Sequence, residues 1–446
     1  MSITGRSRRR IAVVNWRDPW HPQAGGAERY AWEMARALAA GGAKVSFLTA
    51  RASGQSRTEQ RNGVQIVRRG GRFTVYPRAL GWLLARRGSF DAVLDCQNGI
   101  PFFTPLVLPS KVPVLCLVHH VHSTQFGVHF PRWMASVGRF GEGPAARLVY
   151  RRHACVAVSP STVDAMRRRL RWSGDIYLIP NGAPPADHTL PADHTLPAPA
   201  APGAGNLVWV GRLVAHKRAD LLLPLAERLR LRAPNDQLVI DVVGRGPAEQ
   251  ALAAQVTGAG LDGIVRLRGF LPEAGKQALV AGSRLHLNTS QGEGWGLCVL
   301  EAAACGVPTV AYDVEGLRDA VRDGETGWLV KDDETLADVV DRALKELADP
   351  VRRAAIAQAC RQWAAQFDWA ASTARMTTLI DACITAGTSR AWHPGAWILT
   401  DRKAPDDPHS EVLAEGPVLD ALIDAGAAVR RPATALERLT GAGRPS

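Results

Sequence analysis

The chain has 446 residues, 46% of them hydrophobic and 22% charged, which is enough to build two or three separately cored domains. Its seven cysteines form no CxxC pair and are odd in number, which argues against a zinc ribbon and a disulfide framework and favours a reducing, cytoplasmic setting. The net charge of +12 is uneven: residues 1–185 hold 27 Lys and Arg against 9 Asp and Glu, residues 186–446 hold 27 against 33, and the first part is therefore expected to face something anionic.

The start, MSITGRSRRRIAVVNW, is basic, but its apolar run is too short for a signal peptide. The apolar region 101–118 is broken by Pro101, Pro105, Pro109, Lys111 and Pro113, so no transmembrane helix is expected. Ile11-Ala12-Val13-Val14 reads as a buried strand, followed by a loop ending in Gly25-Gly26, a helix from about residue 27 to 40, and a strand at Lys44 to Thr49. Further strands are expected at Ala92 to Leu94, Val114 to Val118 and Ala154 to Val158. Strands alternating with helical stretches indicate a parallel sheet covered on both faces. Residues 183–205 are rich in Ala and Pro and repeat ADHTLP in tandem, which reads as a linker. Strands then resume at Leu207 to Val210, Leu238 to Val243, Val265 to Leu267, Leu285 to Leu287 and Thr309 to Ala311.

The fold class is therefore α/β, with two doubly wound Rossmann-like domains facing an interdomain cleft. The first spans 1–185, the linker 186–203 and the second 204–370; a helix at 371–387 is expected to return to the first domain. Residues 388–446 form an extension of unassigned role, with a candidate strand at Ala396 to Thr400 and a candidate helix at 411–428.

The stretch GEGWGLCVLEAAACGVPTVA, residues 292–311, carries the sharpest chemistry. Glycines on both sides of Glu293 disfavour a helix there, whereas the residues from Leu297 onward favour one until Gly306 and Pro308 end it. Glu293 is thus expected in a loop and Glu301 on the following helix, two carboxylates able to face one crevice. The free N–H groups at that helix start, near Leu297 and Cys298, suit an anion or hydroxyls, or belong to an ordinary capped helix. In GRLVAHKRAD, Arg212 and Lys217 lie just past a strand's carboxyl end, where two cations suit a diphosphate or simply form a solvated basic loop.

GRGPAE at 244–249 is half of a dinucleotide fingerprint without its third glycine, and Gly25-Gly26 is either a phosphate approach or a turn. His119, His120 and His122 end a strand. Their ring directions do not converge readily and no acidic cluster is expected nearby, so a metal is discounted. One of these histidines contacting a sugar or acceptor is preferred over buried structural histidines. Asp95 and Asn98 end another strand and either do the same or turn the chain.

Together the segments GGAERYAWEMARAL, VHH, VSPSTVDAM, IPNG, VGRLVAHK, VVGRGP and SQGEGWGLCVLEAAACGVPTVA resemble the retaining glycosyltransferases of family 4, with the GT-B fold, over about residues 10–384. The resemblance implies that Glu301 holds the ribose hydroxyls and that Glu293 contacts the donor sugar near its reacting face. It implies that Arg212 and Lys217 bind the diphosphate and that amides near Leu297 and Cys298 bind sugar hydroxyls or phosphate. Gly25 and Gly26 would let a loop close over the diphosphate, His119 would contact the sugar near the anomeric carbon, and Asn98, His120 and His122 would lie on the acceptor side. It further implies a nucleotide-sugar co-substrate with no metal and no other cofactor. Thr289 departs from the family, which often has proline there, and Ala183-Pro184 stand where Val-Asp is common.

The expected partners are a nucleotide-sugar donor and a glycan or glycolipid acceptor in envelope synthesis. The segment ARLVYRRH, 146–153, and Arg167-Arg168-Arg169 with Arg171-Trp172 suggest peripheral contact with an anionic membrane at its inner face, or a solvated helix face. Nucleic acid is not expected, since no binding module accompanies the charge. A non-catalytic nucleotide-sugar-binding scaffold and a nucleotide-sugar epimerase are the alternatives.

Overall fold

The computed structural model describes residues 9–123, 125–183, 206–232 and 238–386, with the backbone of 396–400 and 428–430. The duplicated linker at 186–203 and all of the candidate helix at 411–428 except Ala428, which begins a strand, lie outside the described residues. The chain divides into two compact units, residues 1–181 with 369–446, and residues 182–368.

The first unit contains β1 (Arg10–Val14), β2 (Lys44–Thr49), β3 (Thr58–Arg61), β4 (Val64–Arg68), β5 (Ala92–Gln97), β6 (Val114–Val118), β7 (Ala154–Ala157) and β8 (Ile176–Leu178). The second contains β9 (Leu207–Val210), β10 (Ile240–Val243), β11 (Val265–Gly269), β12 (Leu285–Asn288), β13 (Thr309–Tyr312) and β14 (Gly327–Val330). Two further strands, β15 (Ala396–Thr400) and β16 (Ala428–Arg430), extend the first unit's sheet beside β8.

The first sheet runs β16-β15-β8-β7-β6-β5-β1-β2-β4-β3 and is parallel apart from the β3–β4 and β15–β16 pairs. Its central strands are buried because both faces are covered; every residue of VLCLV in β6 is buried, as is every residue of AVLDCQ in β5, including Asp95 and Gln97. The β3–β4 hairpin turns at Asn62-Gly63, a pairing favoured in two-residue hairpin loops that the strand-and-helix alternation passes over.

The Gly26–Ala40 helix buries Ala31, Met34, Ala35 and Leu38, the i, i+3, i+4, i+7 stripe of a helix lying on a sheet. The Trp369–Ala386 helix packs against it, with the Trp369 ring edge-on to Tyr30 at 5.9 Å. The loop after β1 is anchored from below. Asp18, fully buried, accepts a 2.5 Å bond from Arg68 of β4, whose guanidinium also reaches Glu59 of β3 at 2.8 Å.

The second sheet is wholly parallel in the order β11-β10-β9-β12-β13-β14. The chain lays down β9, β10 and β11 in one direction, then returns to the other side of β9 for β12, β13 and β14. The reversal falls between β9 and β12, the position in a parallel sheet where ligands commonly bind beyond the strands' carboxyl ends. In the first unit the corresponding reversal falls between β1 and β5.

Candidate active site

In the second unit the β9 and β12 ends carry the residues that the sequence singles out. After β12 the chain runs Thr289, Ser290, Gln291, Gly292, Glu293 and enters the Leu297–Ala304 helix. Glu293 accepts hydrogen bonds from the Lys217 ammonium and from Ser290 Oγ, the latter at 2.8 Å. Burial alone would push the Glu293 carboxyl up. The Lys217 charge and the two hydrogen bonds outweigh burial and hold it below its ordinary value, so Glu293 is an anion.

Lys217 is fixed from its own backbone. Thr289 Oγ1 donates to the Lys217 carbonyl at 2.7 Å and accepts from Trp209 Nε1 at 2.9 Å, while the Gln291 amide donates to the His216 carbonyl at 2.9 Å. Proline in place of Thr289 could make neither hydroxyl bond, so the departure from the family pattern has a local structural use. Behind the loop, the Glu293 amide donates to the Glu315 carbonyl at 2.9 Å. Gly316 has φ of +77°, and a Cβ there would stand 2.2 Å from the Glu293 carbonyl oxygen, so only glycine fits.

Glu301 lies on the helix and pairs with a different cation, Lys276, at 2.7 Å. Burial lowers the Lys276 pKa, but Glu301 and then Glu273 overcome it and raise it, so the lysine stays charged. The amides of Leu297 and Cys298 lie in the helix's first turn, where N–H groups have no intrahelical acceptor. Burial, then the nearby Glu293 charge, push the Cys298 thiol up to about 12, so it carries its proton at neutral pH.

Arg212 follows β9 in the same loop as Lys217. The glycine turn after β10 serves packing within the sheet. A Cβ on Gly244, at φ +139°, would lie 1.8 Å from the Gly211 carbonyl oxygen, so Gly244 lets the loop carrying Arg212 approach. The half-fingerprint GRGP therefore has a structural explanation.

In the first unit His119 follows β6 and is buried against Tyr30, rings 5.1 Å apart and edge-on. Its carbonyl accepts from Thr162 Oγ1 at 3.2 Å, and its buried Nε2 has no hydrogen-bond partner among the described residues. Burial, with a smaller push from His122, lowers its pKa to about 3, so the ring is neutral. Gly25 caps the Gly26–Ala40 helix; its amide is held by the Glu28 carboxylate at 2.8 Å. Asn98 donates to Asn15 Oδ1 at 2.7 Å and so braces the β5 end to the β1 end, at this sheet's own reversal.

His120 sits 3.1 Å from Gln125 Nε2, and its ring is 5.1 Å from that of His122. One carboxylate, not a cluster, lies beside these histidines. Glu142, fully buried, accepts from the His122 amide at 2.5 Å and lies 3.5 Å from its ring nitrogen. Among the described residues, no three His, Cys, Asp or Glu side chains form a metal-sized group. Asp95 is structural: it accepts from the Phe102 and Thr104 amides at 2.9 and 3.1 Å and from the Tyr150 hydroxyl.

The basic run at 167–172 does not form one outward face. Trp172 is buried, and Arg167 donates to the Trp172 and Gly174 carbonyls, each at 2.7 Å. Sequence reasoning passed over Ser290, Lys276, Asn15 and Glu142. Lys276 and Ser290 have local signals, three residues from Glu273 and from Glu293; Asn15 and Glu142 are recognisable only once distant segments are brought together.

Two family profiles match the chain: Glycosyltransferase Family 4 over residues 24–187 and Glycosyl transferases group 1 over residues 204–346. A D-inositol 3-phosphate glycosyltransferase of Geodermatophilus obscurus is 38% identical over 172 residues, 36% of this chain and 37% of that protein. A GDP-mannose-dependent alpha-(1-6)-phosphatidylinositol monomannoside mannosyltransferase of Mycolicibacterium smegmatis is 35% identical over 183 residues, 39% of this chain and 47% of that protein. The chain thus spans less than half the length of the curated relatives it matches. Among solved structures, a sucrose-phosphate synthase from Thermosynechococcus elongatus superposes with a TM-score of 0.70 at 22% identity, over 85% of this chain and all of that one, a likeness of fold.

Proposed function

Because the chain belongs to the glycosyltransferases of family 4 and group 1, with the GT-B fold, we propose that it moves a hexose from a UDP- or GDP-linked sugar to a hydroxyl acceptor on a lipid-linked or envelope glycan. The observation that carries the reading is Glu293, a half-buried carboxylate kept ionised by Lys217 and Ser290 at the reversal point of the second sheet. A fixed anion there supports a sugar carbon that gains positive charge as its bond to the diphosphate breaks.

The reaction is transfer with retention. The bond between the anomeric carbon and the diphosphate oxygen breaks, the acceptor oxygen bonds to the same face, and the acceptor proton passes to the departing phosphate oxygen. Arg212 and Lys217 stabilise the leaving charge, the first-turn amides of Leu297 and Cys298 hold sugar hydroxyls or phosphate, and Glu301, oriented by Lys276, takes the ribose hydroxyls. From the first unit the same reading takes His119, Gly25 and Gly26 toward the donor and Asn98, His120 and His122 toward the acceptor. A neutral His119 acts as a hydrogen-bonding group and not as a cation. The proposed chemistry uses no metal. The relatives named above, one using GDP-mannose and one acting on inositol phosphate, support the donor and acceptor classes.

Thermal melting against UDP, GDP and their hexose conjugates tests the reading. A ligand at about a hundred times its dissociation constant adds roughly 2.7 kcal/mol of stability. A shift with one nucleotide family, lost in Glu301→Ala, and sugar transfer lost in Glu293→Ala are the expected results. Absence of any shift in a cooperatively folding sample overturns the donor site, and a shift without transfer to any hydroxyl acceptor favours the scaffold alternative.

A further inference from the structure

One surface of the first unit takes up part of the basic segment 146–153 and lies outside the residues assigned to the transfer reaction. The Arg132–Phe140 helix continues through one π-helical turn, Gly141–Ala145, into the Ala146–Tyr150 helix. Its inner side is small and closely packed. Ala135 and Gly138 are buried, and a Cβ on Gly138 would stand 2.7 Å from the Phe126 ring. Its outer side is large and apolar. Trp133 is 70% exposed, Val137 61%, Phe140 62% and Leu148 63%.

These four do not scatter. Positions 133, 137 and 140 are spaced i, i+4, i+7, and the extra residue of the π-turn carries the stripe on through exposed Pro144 to Leu148. The stripe is roughly 20 Å long at about 1.5 Å per residue. Arginines border it: Arg132 beside its start, Arg139 midway, and Arg151 and Arg152 past its end, all exposed. From His119 to Val163 the only acidic residue is Glu142, and it is fully buried.

We propose that this stripe, Trp133, Val137, Phe140 and Leu148 with its arginine border, docks the protein onto the headgroup layer of an anionic lipid bilayer. A helix with an apolar side and cations at its margins lies in the interface plane, its aromatic rings at the headgroup level and its arginines on lipid phosphates. Among the described residues no helix is long and apolar enough to cross a membrane, so the contact is peripheral. A second copy of the chain fits the surface less well. A two-fold contact through the stripe would set the arginines of both copies against each other, with no exposed carboxylate in this segment to answer them. The inference goes beyond the proposed transfer reaction, because vesicle binding requires no turnover and no donor.

The full chain would be sedimented with vesicles of phosphatidylcholine alone and of phosphatidylcholine mixed with phosphatidylglycerol, at low and at high salt. Binding to the anionic vesicles, released by salt, is expected. Trp133→Gln with Phe140→Gln weakens it by about tenfold or more, and Arg132→Gln, Arg139→Gln and Arg151→Gln together by about a hundredfold. Val351→Gln, an equally exposed apolar residue of the second unit, leaves it unchanged. All these side chains are exposed, so melting temperatures should match the parent chain, and the two stripe variants check each other. Anionic-vesicle binding no greater than to phosphatidylcholine, or unaltered in both stripe variants, overturns the proposal. So does a dimer in sedimentation velocity that Trp133→Gln with Phe140→Gln converts to monomer, which would make the stripe an interface between copies.

Discussion

Glu293 in the second unit, half-buried, and His119 in the first, buried, are both titratable groups past the carboxyl end of a parallel strand, yet they end in opposite states. Glu293 lies beside an ammonium and a hydroxyl and stays charged; His119 lies beside the Tyr30 ring and stays neutral. Burial disfavours the charged form of each. What separates them is the partner: Lys217, held by its own carbonyl to Thr289, supplies a compensating charge, whereas the buried Nε2 of His119 has no hydrogen-bond partner among the described residues. The second unit therefore offers fixed charge to a ligand, and the first offers a neutral donor or acceptor.

The largest effect should come from removing the charge on the Glu293 side. Glu293→Ala is expected to lower kcat/KM for sugar transfer by about 10²–10³-fold, the scale seen when one electrostatic group is removed from a reacting centre. Glu293→Gln should be similarly impaired, since it keeps the shape and loses the charge. A steady-state assay of sugar release or transfer reads both, and a variant within twofold of the parent would remove Glu293 from the mechanism.

Removing the partner should turn the carboxylate toward the behaviour of the histidine. In Lys217→Met burial acts on Glu293 with the Lys217 charge and hydrogen bond gone and only the weaker help of Ser290 and His216 left, so its pKa rises. Its depressed value in the parent adds stability that is present above the unfolded carboxylate pKa and is lost as pH falls through the folded one. The acidic limb of the rate profile should therefore move to higher pH in the variant, with activity lower by roughly tenfold or more at neutral pH. An unmoved limb would separate Glu293 ionisation from activity.

The histidine side carries the opposite pH signature. His119 titrates near 3 in the folded chain and near 6.5 unfolded, so between those values the unfolded state binds more protons and stability falls as pH is lowered. His286, also near 3, and His153, near 4, act in the same direction. Each such group costs up to about 1.4 kcal/mol per pH unit below 6.5. Urea unfolding midpoints at pH 7, 6 and 5 should fall stepwise, and His119→Gln should flatten the slope.

The smallest effect is expected at the brace. Thr289→Val keeps the shape but removes the bonds to the Lys217 carbonyl and the Trp209 indole, at a cost of about 1–3 kcal/mol in stability. If Thr289 positions Lys217, the variant should also show weaker nucleotide binding in the melting assay; unchanged binding would confine its role to packing.

Much of this was determined by local sequence. The alternation of apolar strand runs with helical stretches specifies two parallel α/β sheets, because only strands buried on both faces read as continuous apolar runs. The glycines around Glu293 and the helix formers after Leu297 place a loop before a helix, since backbone freedom and helix propensity act over a few residues. What only the tertiary structure decided is which groups meet. Lys217 and Glu293 are 76 residues apart in sequence, Asn98 and Asn15 83, Arg68 and Asp18 50. Strand order brings each pair together, and no local pattern encodes strand order. The same holds for charge state: a carboxylate, a histidine or a thiol in a sequence has its ordinary pKa, and only the surroundings that the fold supplies keep Glu293 ionised against the pull of burial, keep His119 neutral well into the acid range and push the Cys298 thiol up.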